Sequence, residues 1–267
     1  MRIVRLITVK RNNRIVYAAL FLGALSARLL KMMLDPMLLR DSAFYLSLAE
    51  RWTAEGYSQT VIDGTVIIPP FPIYCITKLM ACNFSAEIAG RSISMFLGSI
   101  IPLLGYIIAY KIFKKNIIAV ITAVLLIIHP SLVSYSTQPL RESYYLFFMG
   151  LLIIEIVNGI KEGKIKYWGL CGFFLSFALF CRYESIEFIL FCPLIILYLF
   201  LRRNIDQKKF IKDLSSFFLA LLVTSGLLLS ITSYNLLFIS NIAKYLNRPI
   251  QLYYARDSIQ NDSQSYK

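Results

Sequence analysis

The sequence predicts an all-α membrane protein of about seven transmembrane helices, with one or two amphipathic helices at one of its surfaces. Three observations predict it. Of 267 residues, 58% are hydrophobic and only 16% charged, and the mean hydropathy is +0.65; a soluble domain is near half apolar and a quarter charged. The apolar residues gather into runs that approach the roughly 20 needed to cross a bilayer. Lys and Arg sit in short clusters between those runs, so the net charge of +13 reads as membrane topology rather than as a nucleic-acid surface. This composition excludes a disordered chain, a disulfide-rich mini-protein and an ordinary soluble enzyme.

The chain opens with Arg2, Arg5, Lys10, Arg11 and Arg14, followed by an apolar run from Ile15 to about Leu34. Ala24-Leu25-Ser26 before Ala27 has the small-residue pattern of a signal-peptidase site. The run continues past it and is long enough to span, so an uncleaved first span is expected. Further spans are expected near 88–110, 117–134, 143–158, 167–183, 186–201 and 214–238. Only Arg182 to Ser185 separates the halves of 167–201, which predicts a tight helical hairpin.

Four basic segments, 1–14, 111–116, 159–166 and 202–213, hold 16 of the 28 Lys and Arg. Basic residues in short loops mark the cytoplasmic side, which places the N-terminus inside. Of the 15 acids, 11 then fall on the outer side or in the tail. Acids barely influence topology, so their bias points to polar-ligand binding or chemistry on the outer face.

Residues 1–238 are expected to form the membrane domain, 35–87 its outer loop, and 239–267 a polar tail. Within the loop, Phe44, Tyr45, Leu48, Ala49 and Trp52 make a helical apolar stripe, expected to lie on the outer membrane surface. Pro69-Pro70-Phe71-Pro72 breaks the chain, and 73–82 is expected to form a second short helix. The cysteines, Cys75, Cys82, Cys171, Cys181 and Cys192, form no CxxC pair. They read as small buried hydrophobes rather than as disulfides or a zinc site.

Several short motifs follow one another in a suggestive order. They are Asp41 just past the first span, Tyr45, Ala49 and Gly56 after it, Pro69-Pro70-Phe71-Pro72, Gly90-Arg91-Ser92-Ile93-Ser94, His129-Pro130, Arg141-Glu142-Ser143, and Arg182 at a helix end. In order and spacing, over about residues 15–200, this set resembles the lipid-phosphate-sugar-dependent glycosyltransferases of the GT-C superfamily. The nearest in kind are the bacterial protein O-mannosyltransferases and aminoarabinose transferases. The resemblance implies a multi-pass enzyme of the bacterial inner membrane. It would transfer a sugar from a polyprenyl-phosphate donor to a glycan, lipid or protein acceptor on the outer face, with membrane lipid as its surroundings and no nucleic acid as a partner.

It further implies that Asp41 is the catalytic base and that Tyr45, Arg91, Arg141, Glu142 and Arg182 bind substrate. This matches what the chemistry needs. An acceptor hydroxyl must lose a proton to a carboxylate within reach, and guanidinium groups must take up the charge on a leaving phosphate. Relatives of the aminoarabinose branch carry a Glu-Lys pair before the proline element for metal and phosphate. Here the positions are Ile67-Ile68, so no metal ligand is assigned and divalent-metal dependence is unknown. The resemblance covers the N-terminal half of such proteins, so a further segment or subunit is expected to supply missing helices.

Each residue also has a structural reading. Asp41 can be a helix N-cap, and Arg141-Glu142 after Pro139 can be ordinary helix-start chemistry. Arg182 can snorkel, or pair with Glu184 or Glu187. Arg28 and Lys31 could hold a lipid phosphate but are expected to snorkel. Glu155 is expected to have a local partner, and the sole histidine, His129, a structural role. Asn83-Phe84-Ser85 and Asn261-Asp262-Ser263 match a glycosylation sequon. Two other functions stay open: a non-catalytic transporter or assembly subunit, and an inactive truncated relative.

Overall fold

A computed structural model describes residues 2–55, 69–203 and 206–232. Side chains are described for 14–54, 69–202 and 206–232. Gly56, Ile67-Ile68, the polar tail and its sequon at Asn261 lie outside the described residues.

Every described element is helical. The first helix, α1 (Arg2–Leu34), is followed by a short linker and α2 (Arg40–Glu55). Pro69 and Pro70 start α3 (Pro70–Met80), with Pro70 at the first helical position, where a missing N–H costs nothing. The proline element thus launches a helix as well as breaking the chain. Ser85 caps α4 (Ala86–Phe113) by accepting from Ile88 N–H, the expected use of a serine there. The second residue before it, Asn83 of the sequon, sits in the turn with φ 66°.

The expected span at 117–134 is two helices, α5 (Asn116–Ile128) and α6 (Pro130–Ser136), bent by 59° at His129-Pro130. Pro130 cannot continue the hydrogen-bond ladder of α5. His129 closes one helix and caps the next, its Nδ1 accepting from Leu132 N–H at 3.4 Å, which is the structural role expected of it. The chain continues through α7 (Arg141–Glu162), α8 (Ile165–Leu179), a 3₁₀ turn (Tyr183–Ile186), α9 (Glu187–Arg203) and α10 (Gln207–Thr232).

The protein is an all-α, multi-pass membrane protein. Five segments among the described residues are long and apolar enough to cross: Arg14–Leu34, Ala86–Phe113, Arg141–Glu162, Tyr183–Arg202 and Gln207–Thr232; the bent pair α5–α6 makes six if it is one span. The expected seventh, α8, has 15 residues and is about 22 Å long, short of the roughly 30 Å hydrocarbon core.

Short α8 is the packing centre instead. Its Trp168, Cys171, Gly172, Leu175 and Ala178 are buried against α7, α9 and α10 in the main core. Gly172 is where α8 and α10 touch: a Cβ there would lie 2.2 Å from Phe217 O. Ser176 donates across the same seam to Leu221 O at 3.0 Å and accepts from Ser225 at 3.2 Å. Cys171, Cys181 and Cys192 are buried as expected, whereas Cys82 is exposed; all five cysteines are free.

The stripe on α2 is real, but protein covers it. Tyr45, Leu48 and Ala49 are buried against Ile73 and Ile76 of α3, Ala89 of α4, and Leu140, with Trp52 packed beside them; Phe44 is exposed. The α2–α3 pair is therefore docked on the bundle through the face expected to meet lipid.

Arg28 also departs from expectation. Rather than snorkelling, it is wholly buried in α1, with Nη1 donating to Ala24 O at 2.9 Å and its Nε and Nη2 without partners. It packs on Gly98 of α4 beside Ser136 of α6. Lys31, one turn on, is partly exposed and pairs with Asp35 at 2.7 Å, which holds the Asp35 carboxyl below its ordinary range.

Candidate active site

The helix ends fall into two groups. At one end lie the basic turns. There Lys111 donates to Asn158 at 2.6 Å and Asn158 donates to Glu155 at 3.0 Å, so Glu155 has the local partner expected of it. At the other end lie the acidic loops, the α2–α3 pair, and the starts of α4, α7 and α9. The candidate site is at this acidic end.

Its position follows from a clamp between the α1–α2 linker and the turn before α7. Gln138, only 4% exposed, accepts from Leu39 N–H at 3.2 Å and donates to Met37 O at 2.8 Å. Arg91, at the start of α4, spans the same two segments. It donates to Pro36 O at 2.5 Å and Thr137 O at 3.2 Å, and its Nε lies 2.8 Å from Glu87. These two side chains satisfy the buried Thr137 carbonyl and the part-buried Pro36 and Met37 carbonyls while fixing the start of α2 beside the start of α7.

That brings four of the expected residues around Tyr45. The charges of Arg141, Glu142, Asp41 and Arg182 all act on its phenol, which burial, the dominant cause, pushes up to about 12. Asp41 is the second residue of α2, inside the first turn rather than at the cap. It is exposed and has no ion pair among the described residues. Glu142, in the first turn of α7, lies 3.8 Å from Arg141 Nε and 3.7 Å from Arg182 Nη1. Two guanidinium groups 41 positions apart in sequence thus meet one carboxylate.

Arg182 stands at the break between α8 and the 3₁₀ turn, in extended backbone. Its Nη2 donates to Glu184 at 3.0 Å, and its plane lies 5.4 Å over the Tyr145 ring. The Glu184 hydrogen bond, with the nearby carboxylate charges, raises the guanidinium above its ordinary value despite burial. The pairing with Glu184 proposed as a structural reading is therefore present, and it coexists with the approach to Glu142. Glu142 Oε2 and Arg182 Nε are buried without a hydrogen-bond partner. Such orphaned polar atoms are costly unless something satisfies them.

Arg91 does not join this group: its Nη1 and Nη2 donate to Thr137 O and Pro36 O, and its Nε faces Glu87 at 2.8 Å without an aligned hydrogen bond. Gln138, Glu184 and Tyr145 were not singled out as site residues in the sequence. For Gln138 the usable signal is a lone amide in a four-residue turn between two apolar helices. Among the described residues, no three His, Cys, Asp or Glu side chains are placed to hold a metal.

The chain matches the family model described as dolichyl-phosphate-mannose-protein mannosyltransferase over residues 68–229, more than half its length. Arg91, Arg141, Glu142 and Arg182 lie inside the match, and Asp41 and Tyr45 precede it. No curated protein matches the chain.

Proposed function

Because the chain belongs to the dolichyl-phosphate-mannose-protein mannosyltransferase family of GT-C membrane glycosyltransferases, we propose that its acidic end transfers a sugar from a polyprenyl-phosphate donor to an acceptor on the extracytoplasmic face. The observation that carries this reading is the meeting of Arg141 and Arg182 at Glu142, near enough to Tyr45 that their charges and that of Asp41 all act on its phenol. The proposed orientation has the N-terminus in the cytoplasm and the basic turns at the inner surface, following the distribution of Lys and Arg.

In this mechanism the acceptor hydroxyl attacks the anomeric carbon and gives its proton to the Asp41 carboxylate. The bond from that carbon to the phosphate oxygen breaks, and the electron pair leaves with the lipid phosphate. Arg141 and Arg182 neutralise that charge; fixed donors aimed at developing charge are the main source of such catalysis. Glu142 holds the two guanidinium groups together before the donor arrives, and its free Oε2 accepts from a sugar hydroxyl. Tyr45, kept neutral, offers a hydroxyl at the same place. Arg91 and Gln138 are positioning residues that set Asp41 against the start of α7.

The test is transfer of sugar from a polyprenyl-phosphate sugar in membranes carrying the full chain. Asp41→Asn should lower the rate by roughly 10²–10⁴-fold, the usual contribution of a general base. Full activity of this variant removes Asp41 from the mechanism. Radiolabelled solute uptake without sugar turnover favours the transporter reading instead.

A further inference from the structure

At the basic end, α7, α8, α9 and α10 line a partly open cavity of about 280 Å³ that the transfer mechanism does not use. Trp168, Leu199, Phe200 and Phe210 give it apolar walls. Two charged groups in its lining, Asp213 and Lys209, act on each other through charge but make no direct hydrogen bond or ion pair among the described residues. Asp213, one turn into α10 from Lys209, is 4% exposed, and its Oδ1 is buried without a partner. Lys209 reaches across to the α7–α8 turn, where its Nζ lies 3.0 Å from the Cβ position of Gly163, a residue held at φ +62°. The other charged lining residues are engaged: Lys161 donates to Lys111 O, and Glu162 accepts from Lys164 and Tyr167.

A buried carboxylate oxygen with no donor is expensive, and it asks for a cation that can donate. Lys209, a neighbour on the same helix face, asks for an anion. The apolar walls beside them ask for a hydrocarbon chain. From this combination we infer that the cavity seats a membrane phospholipid with a phosphoethanolamine headgroup, its primary ammonium donating to Asp213 and its phosphate facing Lys209. Phosphatidylcholine fits poorly, because a quaternary ammonium has no N–H to give Asp213. An anionic lipid satisfies Lys209 and leaves Asp213 orphaned. Assignment to the inner leaflet rests on the orientation proposed above; the headgroup assignment does not.

The experiment is native mass spectrometry of the full chain released from detergent, with phosphatidylethanolamine, phosphatidylcholine or phosphatidylglycerol of identical acyl chains. Wild type should hold phosphatidylethanolamine about tenfold more tightly than phosphatidylcholine, the worth of one charge-assisted hydrogen bond. Asp213→Asn should erase that preference while keeping the wild-type elution profile on size exclusion. Equal retention of the two lipids by wild type, or a preference for phosphatidylglycerol, overturns the proposal, as does an Asp213→Asn protein that still prefers phosphatidylethanolamine. If that variant fails to fold, the wild-type comparison alone decides. Sugar transfer is not the readout, so failure here leaves the transferase reading intact, and failure of Asp41→Asn leaves this one intact.

Discussion

At the scale of single residues, three of the protein's arginines, Arg182, Arg91 and Arg28, stand in three different predicaments. Arg182 is paired on two sides and laid over a ring. Lysine keeps the charge but loses the planar fork and the stacking, so Arg182→Lys should cut transfer by on the order of a hundredfold. A kinetic split of kcat and KM for the lipid-linked donor checks it. Arg91 satisfies two backbone carbonyls and lies beside the half-exposed Glu87, so Arg91→Met should loosen the clamp and destabilise the protein by roughly 1–3 kcal/mol, the cost of leaving a buried acceptor without its donor. Arg28 is the opposite case: it is buried with two donor nitrogens unmet. Replacing a poorly compensated buried charge by a packed apolar side chain is often stabilising. Arg28→Met should therefore leave stability unchanged or raise it by about 1–4 kcal/mol. Thermal unfolding of both variants in one detergent compares them, and a lowered melting temperature for Arg28→Met would reveal an anionic partner at that site.

At the scale of elements, contact between α8 and α10 decides how the second half of the bundle holds together. Without a solvent-driven force between helices, membrane bundles rely on close packing through small residues. Gly172 supplies that contact: a Cβ would meet Phe217 O at 2.2 Å and Leu221 N at 2.9 Å, both backbone atoms that cannot swing aside. Gly172→Ala should force the helices apart, stretch the Ser176–Leu221 bond and cost about 1–3 kcal/mol. Gly226 of α10 is the internal control, since nothing lies within 4 Å of its Cβ position. Gly226→Ala should be neutral or stabilise by about 0.5–1 kcal/mol through helix propensity. Detergent melting curves of the two variants should move in opposite directions or differ by the full clash cost.

At the scale of the whole molecule, orientation is testable without new probes. Cys82 is exposed in the turn between α3 and α4, Cys171, Cys181 and Cys192 are buried, and burial pushes the half-buried Cys75 thiol up to about 12. A membrane-impermeant maleimide applied to intact cells should label Cys82, and Cys82→Ser should abolish the signal. Labelling that requires permeabilisation would invert the proposed topology. The helices were legible because each span is an apolar run closed by charge; the break at His129-Pro130 was not, because the apolar run continues across it and a proline alone does not mark a break, Pro102 and Pro193 both standing inside continuous helices. Asp41, Arg141, Glu142 and Arg182 were legible as polar residues placed at helix ends. Two further things were not. Periodicity gave the α2 stripe but could not tell whether lipid or Ile73 and Ile76 would cover it, since both are equally apolar. Nor could it separate Arg91 from Arg182, because which carbonyls a guanidinium meets depends on contacts between residues far apart in the chain. One such contact reaches further. Phe71 N–H donates to Phe180 O at 3.1 Å, and its ring meets Phe148 and Phe177 edge-on, those two being stacked on each other at 4.8 Å. Phe180 is two positions before Arg182, and α3 carries α2 on its back. The paired short helices and that guanidinium are geared together: whatever tilts the one turns the other.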